Sequence, residues 1–329
     1  MKSVGEIGYA QFCVSPTDKA PTRSNQAATK SSRATGNSRS SRQPTYMKMR
    51  NSEAMCGRTI RLVVSSLIVI SAILIEPQSW CARAQAGSQK PDKPVPSRSS
   101  QGVGGATGIF PKETILVGDQ VREYRLIVPK SVDGTKPVPL VFAFHGLGDS
   151  KDLMPIYSQL DKLAEKQGFV LVFPNGLKRH WQIVPAWAKG DVAFYDKLYE
   201  HITGKYNIDL NRVYLTGMSN GAYFSHVIAS QRSEQIAAIA PHSGGPGIVG
   251  AQGINAKHKY AVFVIHGGSD SIVPVEEGRR TRDNYTKWGH EVEYLEIPKH
   301  NHFWAKSADV NTKIWEFFEK HPLSQSGSE

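Results

Sequence analysis

Cysteine is nearly missing from this chain of 329 residues: Cys13, Cys56 and Cys81 are the only three, and none follows. Everything after Cys81 therefore lacks both an internal disulfide and a thiolate metal site. A strong charge of one sign is missing as well. The formal net charge is +11, but residues 1–86 carry 12 Lys/Arg against 4 Asp/Glu, leaving 28 against 25 for the remainder. The body of the chain is thus only slightly basic, and the charge is no argument for a nucleic-acid partner. There is no internal repeat and no sign of a second domain. All 11 histidines lie between His145 and His321, without carboxylate or thiolate company at ligand spacing. No metal and no cofactor is expected.

The leader divides into parts. Residues 1–46 are rich in Ser, Thr, Arg and Asn with few apolar side chains, a composition that cannot offset chain entropy. They read as disordered, or as an extension upstream of a true start at Met47, Met49 or Met55. From Met47 the pattern changes. Lys48, Arg50, Arg58 and Arg61 precede the uncharged run Leu62 to Ile75, which is followed by Ala84-Gln85-Ala86. A basic flank, an apolar run shorter than the roughly 20 residues that span a bilayer, and a small-x-small site predict a signal peptide over 47–86, cut after Ala86. Residues 87–111, rich in Ser, Pro, Gly and Lys, then read as a flexible tether. The expected destination is secreted or periplasmic, with no stable membrane association after cleavage.

From Lys112 apolar strands alternate with amphipathic helices. Thr114 to Val117 and Tyr124 to Val128 read as an antiparallel pair turning at Gly118-Asp119, and Leu140 to Phe144 as a buried strand. A helix is expected next with Ile156, Leu160, Leu163 and Ala164 on one face, and Asp191 as the cap of another. Further strands are expected at Phe169 to Phe173, Val213 to Leu215, Ile236 to Ala240, Tyr260 to Ile265 and Val292 to Ile297. Helices are expected near Glu276 to Trp288 and from Asp309. This alternation argues an α/β domain over 112–322, a mostly parallel central sheet flanked by helices with no large lid domain, followed by a tail, 323–329.

One motif turns the pattern into chemistry. Gly217-Met218-Ser219-Asn220-Gly221 sits where a strand runs into a helix. A serine on so tight a turn needs neighbours without side chains two positions before and after, and it ends beside a helix N-terminus that favours developing negative charge. Alone the pattern is common. Downstream, though, Asp270 follows the strand Tyr260 to Ile265, and His302 follows the strand Val292 to Ile297. The order Ser, Asp, His, each on a loop after a strand, is that of α/β-hydrolases.

In that arrangement Ser219 attacks a carbonyl, His302 takes its proton and Asp270 orients His302. His300 competes for the role of base, while His266 reads as shaping the acid loop. The N–H of Asn220 is one expected oxyanion donor. The loop His145-Gly146-Leu147-Gly148 should give the other, with Leu147 chosen over neighbours one residue away. Trp181, Trp187 and Trp304, with Phe194 and Tyr223, are candidate platforms for flat acyl groups or sugars, and the loops 174–189 and 243–259 are expected to rim the cleft.

His145-Gly146, the serine motif, His266-Gly267 with Asp270 and Val273-Pro274, and His302-Phe303-Trp304 together resemble the secreted polyhydroxybutyrate-depolymerase and feruloyl-esterase-like branch of α/β-hydrolases, over roughly residues 112–322. The resemblance implies Ser219, Asp270 and His302 as the triad and Trp304 as a wall of the substrate cleft; Trp181 and His145 are further candidates for substrate binding. It implies a secreted serine esterase acting on a polyester, or on feruloyl or acetyl esters of a polysaccharide. This chain departs from many members in having Ala222 after the elbow and no disulfide. Two other classes fit parts of the pattern. A serine exopeptidase of the same fold would need acidic residues to grip an amine, and an inactive carbohydrate-binding relative should have lost a triad member.

The leader generates the first test. Mass spectrometry of protein recovered outside the cytoplasm is expected to give an N-terminus at or within a few residues of Gly87, whereas soluble intact chain from Met1 would refute the signal peptide.

Overall fold

In the computed structural model the described residues are 96–323, apart from 248, 249, 251–253 and 255. The expected extension 1–46, the signal peptide 47–86 and the tail beyond Leu323 lie outside them.

Eight strands form one sheet. β1 (Gly108–Val117) and β2 (Gln120–Val128) make an antiparallel hairpin whose last pair is Val117 with Gln120, turning through Gly118 at φ +58°. Glycine suits this left-handed position because it has no Cβ to crowd the backbone. β3 (Val138–Phe144), β4 (Val170–Pro174), β5 (Ile208–Met218), β6 (Ala238–His242), β7 (Ala261–Gly267) and β8 (Val292–Ile297) follow. Their order across the sheet is β1-β2-β4-β3-β5-β6-β7-β8. β2 meets β4 antiparallel, and every pairing from β4 to β8 is parallel.

Parallel neighbours need crossovers: α1 (Met154–Ser158) and α2 (Leu160–Gln167) join β3 to β4, α3 (Lys189–Lys205) joins β4 to β5, α4 (Asn220–Gln231) joins β5 to β6 and α5 (Val275–Lys287) joins β7 to β8, while α6 (Val310–Lys320) follows β8. With helices over both faces, central strands lose their polar side and become continuous apolar runs. Every residue of β4, β6 and β7 is buried. The period of two sorts them. Leu140, Phe142 and Phe144 enter one core with side chains of α3 and α4, while Val141 and Ala143 enter the other with those of α2 and α6. Tyr214 stacks on Phe318 at 4.5 Å, and Phe169 on Trp315 at 4.6 Å, fixing α6 on its face. All parallel strands therefore end at one edge of the sheet, which is where the chemistry-bearing loops leave it.

Three expectations need correction. The tether does not run free to residue 111. The Arg98 N–H donates to Asp209 Oδ1 at 3.0 Å, that of Ser100 to the Ile208 carbonyl at 2.8 Å, and that of Gly104 to the Lys205 carbonyl at 3.0 Å. A polar, Ser- and Gly-rich composition hides such docking because it is made of backbone bonds. Ile156 does not share a helical face with Leu160: Gln159 turns left-handed at φ 55° between α1 and α2, and Ile156 stands 69% exposed. Asp191 is not a cap, since Ala188 holds that position and Asp191 lies in the first turn of α3.

Asp191 instead accepts from a buried guanidinium. Arg122 Nη2 donates to Asp191 Oδ1 at 2.8 Å, and the Gln182 N–H donates to Oδ2 at 3.0 Å. The guanidinium also lies 4.1 Å over the Phe194 ring, which assigns Phe194 to the core. Burial pulls Arg122 below its usual pKa and Asp191 pushes back. Removing one partner strands the other charge in the interior, so Asp191→Ala is expected to cost about 3–5 kcal/mol in urea unfolding. The double variant Arg122→Met with Asp191→Leu should recover most of that loss, because an apolar pair leaves no charge uncompensated.

Candidate active site

Ser219 lies between the last residue of β5 and the first of α4, with φ 53° and ψ −118°. Positive φ in a residue with a Cβ is strained, at an order of 1–3 kcal/mol, and persists only where the surroundings impose it. Here they do. A Cβ on Gly217 would sit 2.5 Å from the Gly221 carbonyl group, and one on Gly221 would overlap the Phe144 carbonyl. Only a glycine pair lets strand, turn and helix approach this closely. The Ser219 N–H donates to the His242 carbonyl at 2.9 Å, and the Ser219 carbonyl accepts from Tyr223 N–H at 3.0 Å, pinning the turn at both ends.

Asp270 follows β7 and is held from two sides. Its Oδ1 accepts the Ile272 and Val273 N–H groups, each at 2.9 Å, and its Oδ2 accepts His302 Nδ1–H at 2.8 Å. Burial works to raise the carboxyl, but the bonds from His302, Val273 and Ile272 outweigh it and hold the pKa below the ordinary aspartate value. With Nδ1 engaged, His302 keeps Nε2 for another partner. Ser219 and His302 line one cavity, and no hydrogen bond joins them. His300 is turned elsewhere, its Nε2–H donating to the Phe303 carbonyl at 2.7 Å. His266 is fully buried; its Nε2–H donates to the Val273 carbonyl at 2.9 Å and stands 3.4 Å from Asp270 Oδ2.

The cavity measures about 750 Å³. Gly146, Leu147, Met218, Ser219 and His302 line it, Leu153, Ile156, Tyr157, Ile272, Phe303 and Trp304 make the lining largely apolar, and Asp149 and Lys306 also lie on it. Trp304 is 5% exposed, and its Nε1–H donates to Asn311 Oδ1 at 2.9 Å, which fixes the ring plane. The N–H groups of Leu147 and Asn220 donate to no partner among the described residues. The first is in the loop after β3 and the second opens α4. The Asn220 side chain is used separately, its Oδ1 accepting Trp181 N–H at 2.7 Å and its Nδ2 donating to the Trp181 carbonyl at 3.1 Å.

Two residues expected near substrate are not on this cavity. Trp181 is 1% exposed, stacked on Phe224 at 4.8 Å, and its Nε1–H donates to the His145 carbonyl at 3.0 Å. His145 is fully buried: its Nε2 accepts Gly176 N–H at 2.9 Å and its Nδ1–H donates to the Gly146 carbonyl at 2.8 Å. Both are spent on holding loops together. The segments 174–189 and 243–259 do not line the cavity either, so far as their described residues go. The walls come from the segment after β3 through α1 and from the loops carrying Asp270 and His302. Leu153, Ile156, Tyr157, Ile272 and Phe303 were missed in the sequence because each sits where an apolar residue usually means core. For Leu153, Ile156 and Tyr157 the signal that finds them is a helix too short to bury its own face.

Strand order, elbow and acid–histidine pair define an α/β-hydrolase. Sequence comparison agrees. The Esterase PHB depolymerase family model matches residues 123–256, and a Phospholipase/Carboxylesterase model matches residues 194–320. The bifunctional acetylxylan esterase/xylanase XynS20E of Neocallimastix patriciarum is 31% identical over 149 residues, 45% of this chain and 21% of that protein. Feruloyl esterase D of Neurospora crassa is 29% identical over 187 residues, 53% of this chain and 62% of that one. This chain thus spans less than two thirds of either relative. Among solved structures, a thermostable esterase superposes with a TM-score of 0.54 at 24% identity, covering 64% of this chain and 62% of that one. The fold is that of an α/β-hydrolase, and over these segments the chain is similar to the esterase PHB depolymerase family and to feruloyl esterases.

Buried histidines are expected to make the fold acid-labile. His226 and His242 are fully buried, and burial first, with neighbouring histidines adding, pushes each down to about 3. Unfolded histidine titrates near 6.5, so between those values the unfolded chain binds protons that the folded one refuses. Their contribution to stability is whole above about pH 6.5 and is lost as pH falls toward 3, at up to ~1.4 kcal/mol per pH unit for each. Asp270 adds a loss below about pH 4, where its held-down carboxylate must protonate. Urea unfolding from pH 8 to pH 4 is expected to show a flat region and then this decline, and His226→Gln should reduce its slope.

Proposed function

We propose that this chain is a serine esterase that hydrolyses carboxylic esters through an acyl-enzyme on Ser219. The observation that carries the reading is the meeting of two unrelated structures at one cavity: a serine forced onto a strained turn, and a histidine whose Nδ1 is tied to a buried aspartate. His302, with Nδ1–H on Asp270, presents Nε2 as base to the Ser219 hydroxyl once substrate settles the geometry. The serine oxygen attacks the ester carbonyl, the negative charge moves to the carbonyl oxygen, and the free N–H groups of Asn220 and Leu147 receive it. His302 returns the proton to the leaving alcohol. Water then repeats the sequence on the acyl-enzyme and frees the acid.

The acyl side is read from the walls. Leu153, Ile156, Phe303 and the edge-fixed Trp304 ring suit a flat or extended apolar acyl group such as a hydroxycinnamate, and the open mouth admits an alcohol that is part of a polymer. A polyester, or a feruloyl or acetyl ester on a polysaccharide, fits this description. Action outside the cytoplasm is read from the leader, with the catalytic domain taking in the segment docked from Arg98 onward as well as residues 112–322.

The test is a substrate panel of p-nitrophenyl acetate, methyl ferulate and an aminoacyl-p-nitroanilide. Ester hydrolysis is expected, and amide hydrolysis without it would make the chain a peptidase. Because triad members act as a unit, Ser219→Ala and His302→Ala should each remove about 10⁴ to 10⁶ of the rate with folding intact. His300→Ala should cost about tenfold, since it frees only the Phe303 carbonyl. Near wild-type hydrolysis by the Ser219 variant would end the catalytic reading, and a reversal between the histidines would move the base to His300.

A further inference from the structure

Between the elbow and the base loop lies one side chain to which no catalytic role has been given. His242 ends β6, one register step from the nucleophile, and pairs in the sheet with Met218 on one side and Ile265 on the other. Its carbonyl accepts the Ser219 N–H at 2.9 Å. Its ring points the other way. Nε2 accepts the Ala305 N–H at 3.2 Å, which obliges Nδ1 to carry the proton it shares with Ser243 Oγ at 3.1 Å. The ring also stacks on Trp304, centroids 5.2 Å apart and 17° from parallel. A fully buried imidazole is thereby bonded through its main chain to the residue that attacks, and through its side chain to the two residues that follow the loop of His302.

We infer that His242 is a positioning residue: its neutral Nε2 holds the Ala305 N–H and, with the stack on Trp304, sets the distance of His302 from Ser219. The inference rests on the esterase reading for its first readout. Its logic is geometric. Asp270 fixes which way His302 faces, since it grips Nδ1; the loop is held before His302 by the Ser269 N–H on the His300 carbonyl at 2.8 Å, and after it by the Trp304 Nε1–H on Asn311 and by His242. His302 and Ser219 are not hydrogen-bonded in the resting arrangement, so the position of the loop decides whether Nε2 reaches the serine. Ala305 and Trp304 are the near anchors of that loop, and both rest on His242. Burial first, with the neighbouring histidines adding, pushes the imidazole down to about 3, which favours the neutral ring with Nε2 as acceptor. A donor in its place would face the Ala305 N–H directly.

Two variants separate the bond from the bulk. His242→Gln puts an amide oxygen where Nε2 was and keeps the acceptor, while His242→Phe keeps the flat ring against Trp304 and loses it. The readouts are kcat and KM on methyl ferulate and p-nitrophenyl acetate, the melting temperature, and the rate at which an organophosphonate labels Ser219. The Gln variant is expected within about threefold of wild-type kcat, and the Phe variant about 10²-fold lower, since misplacement by an ångström costs that much. KM should move less than about twofold in the Phe variant, which keeps the flat ring behind the Trp304 wall. Labelling should slow in parallel with kcat. Wild-type kcat in the Phe variant would overturn the inference, and so would equal losses in both variants or a loss confined to KM. If the Phe variant does not fold, the Gln variant decides through hydrogen exchange at the Ala305 amide. Protection kept along with kcat supports the role, and protection lost with kcat kept refutes it. A wild-type chain that labels but turns over no ester would sink the esterase reading alone, because the Gln-to-Phe ratio of labelling rates still tests His242.

Discussion

Everything at this edge of the sheet depends on a steric constraint: Ser219 can hold φ 53° only because Gly217 and Gly221 leave no Cβ where the backbones cross. The strain cannot relax toward an ordinary turn, since the Ser219 N–H is fixed on β6 and its carbonyl on α4. The energy to hold it comes from the sheet. β5 is flanked by β3 and β6 and sealed by two cores, and a central strand of this kind does not yield to a single unfavourable dihedral. Strain at Ser219 and burial of the parallel strands are thus one fact seen at two scales.

The same sheet explains why the site assembles from distant segments. Parallel strands bring their carboxyl ends to one edge, so residues 219, 270 and 302 need no long-range code beyond strand order. That part was legible in the sequence. The serine pattern, the two later loops and the apolar strand runs each carry a local signal, and β8 was placed to the residue because its boundaries are set by turn chemistry. β6 was placed two residues early because Ile236 and Ala237 continue the apolar run before pairing begins. Periodicity sees burial, and burial outlasts the ladder.

What sequence reading missed has a common physical cause. Gln159 interrupts a helical face with a left-handed residue that carries no glycine to announce it, and so Ile156 was assigned to the core when it faces the cavity. Trp181 and His145 failed in the opposite sense: aromatic and polar enough to look functional, they are consumed by hydrogen bonds to the loops that flank the site. A residue type states which contacts are possible. Whether substrate or neighbouring backbone receives them is decided by tertiary packing, which no local pattern encodes.

Part of the cavity wall and the chemical groups therefore answer to different parts of the chain. Ser219, Asp270 and His302 hang from strand ends whose positions the two cores dictate, and a change there is felt through the sheet. Leu153, Ile156 and Tyr157 sit on or beside a five-residue helix bounded by the left-handed Gln159, and Leu147 is 73% exposed. So short a helix contributes little to either core, and its side chains can vary without cost to the strands. On the function proposed above, part of the choice of acyl group falls to this surface segment, while Ile272, Phe303 and Trp304 belong to the loops of Asp270 and His302 and answer to the sheet.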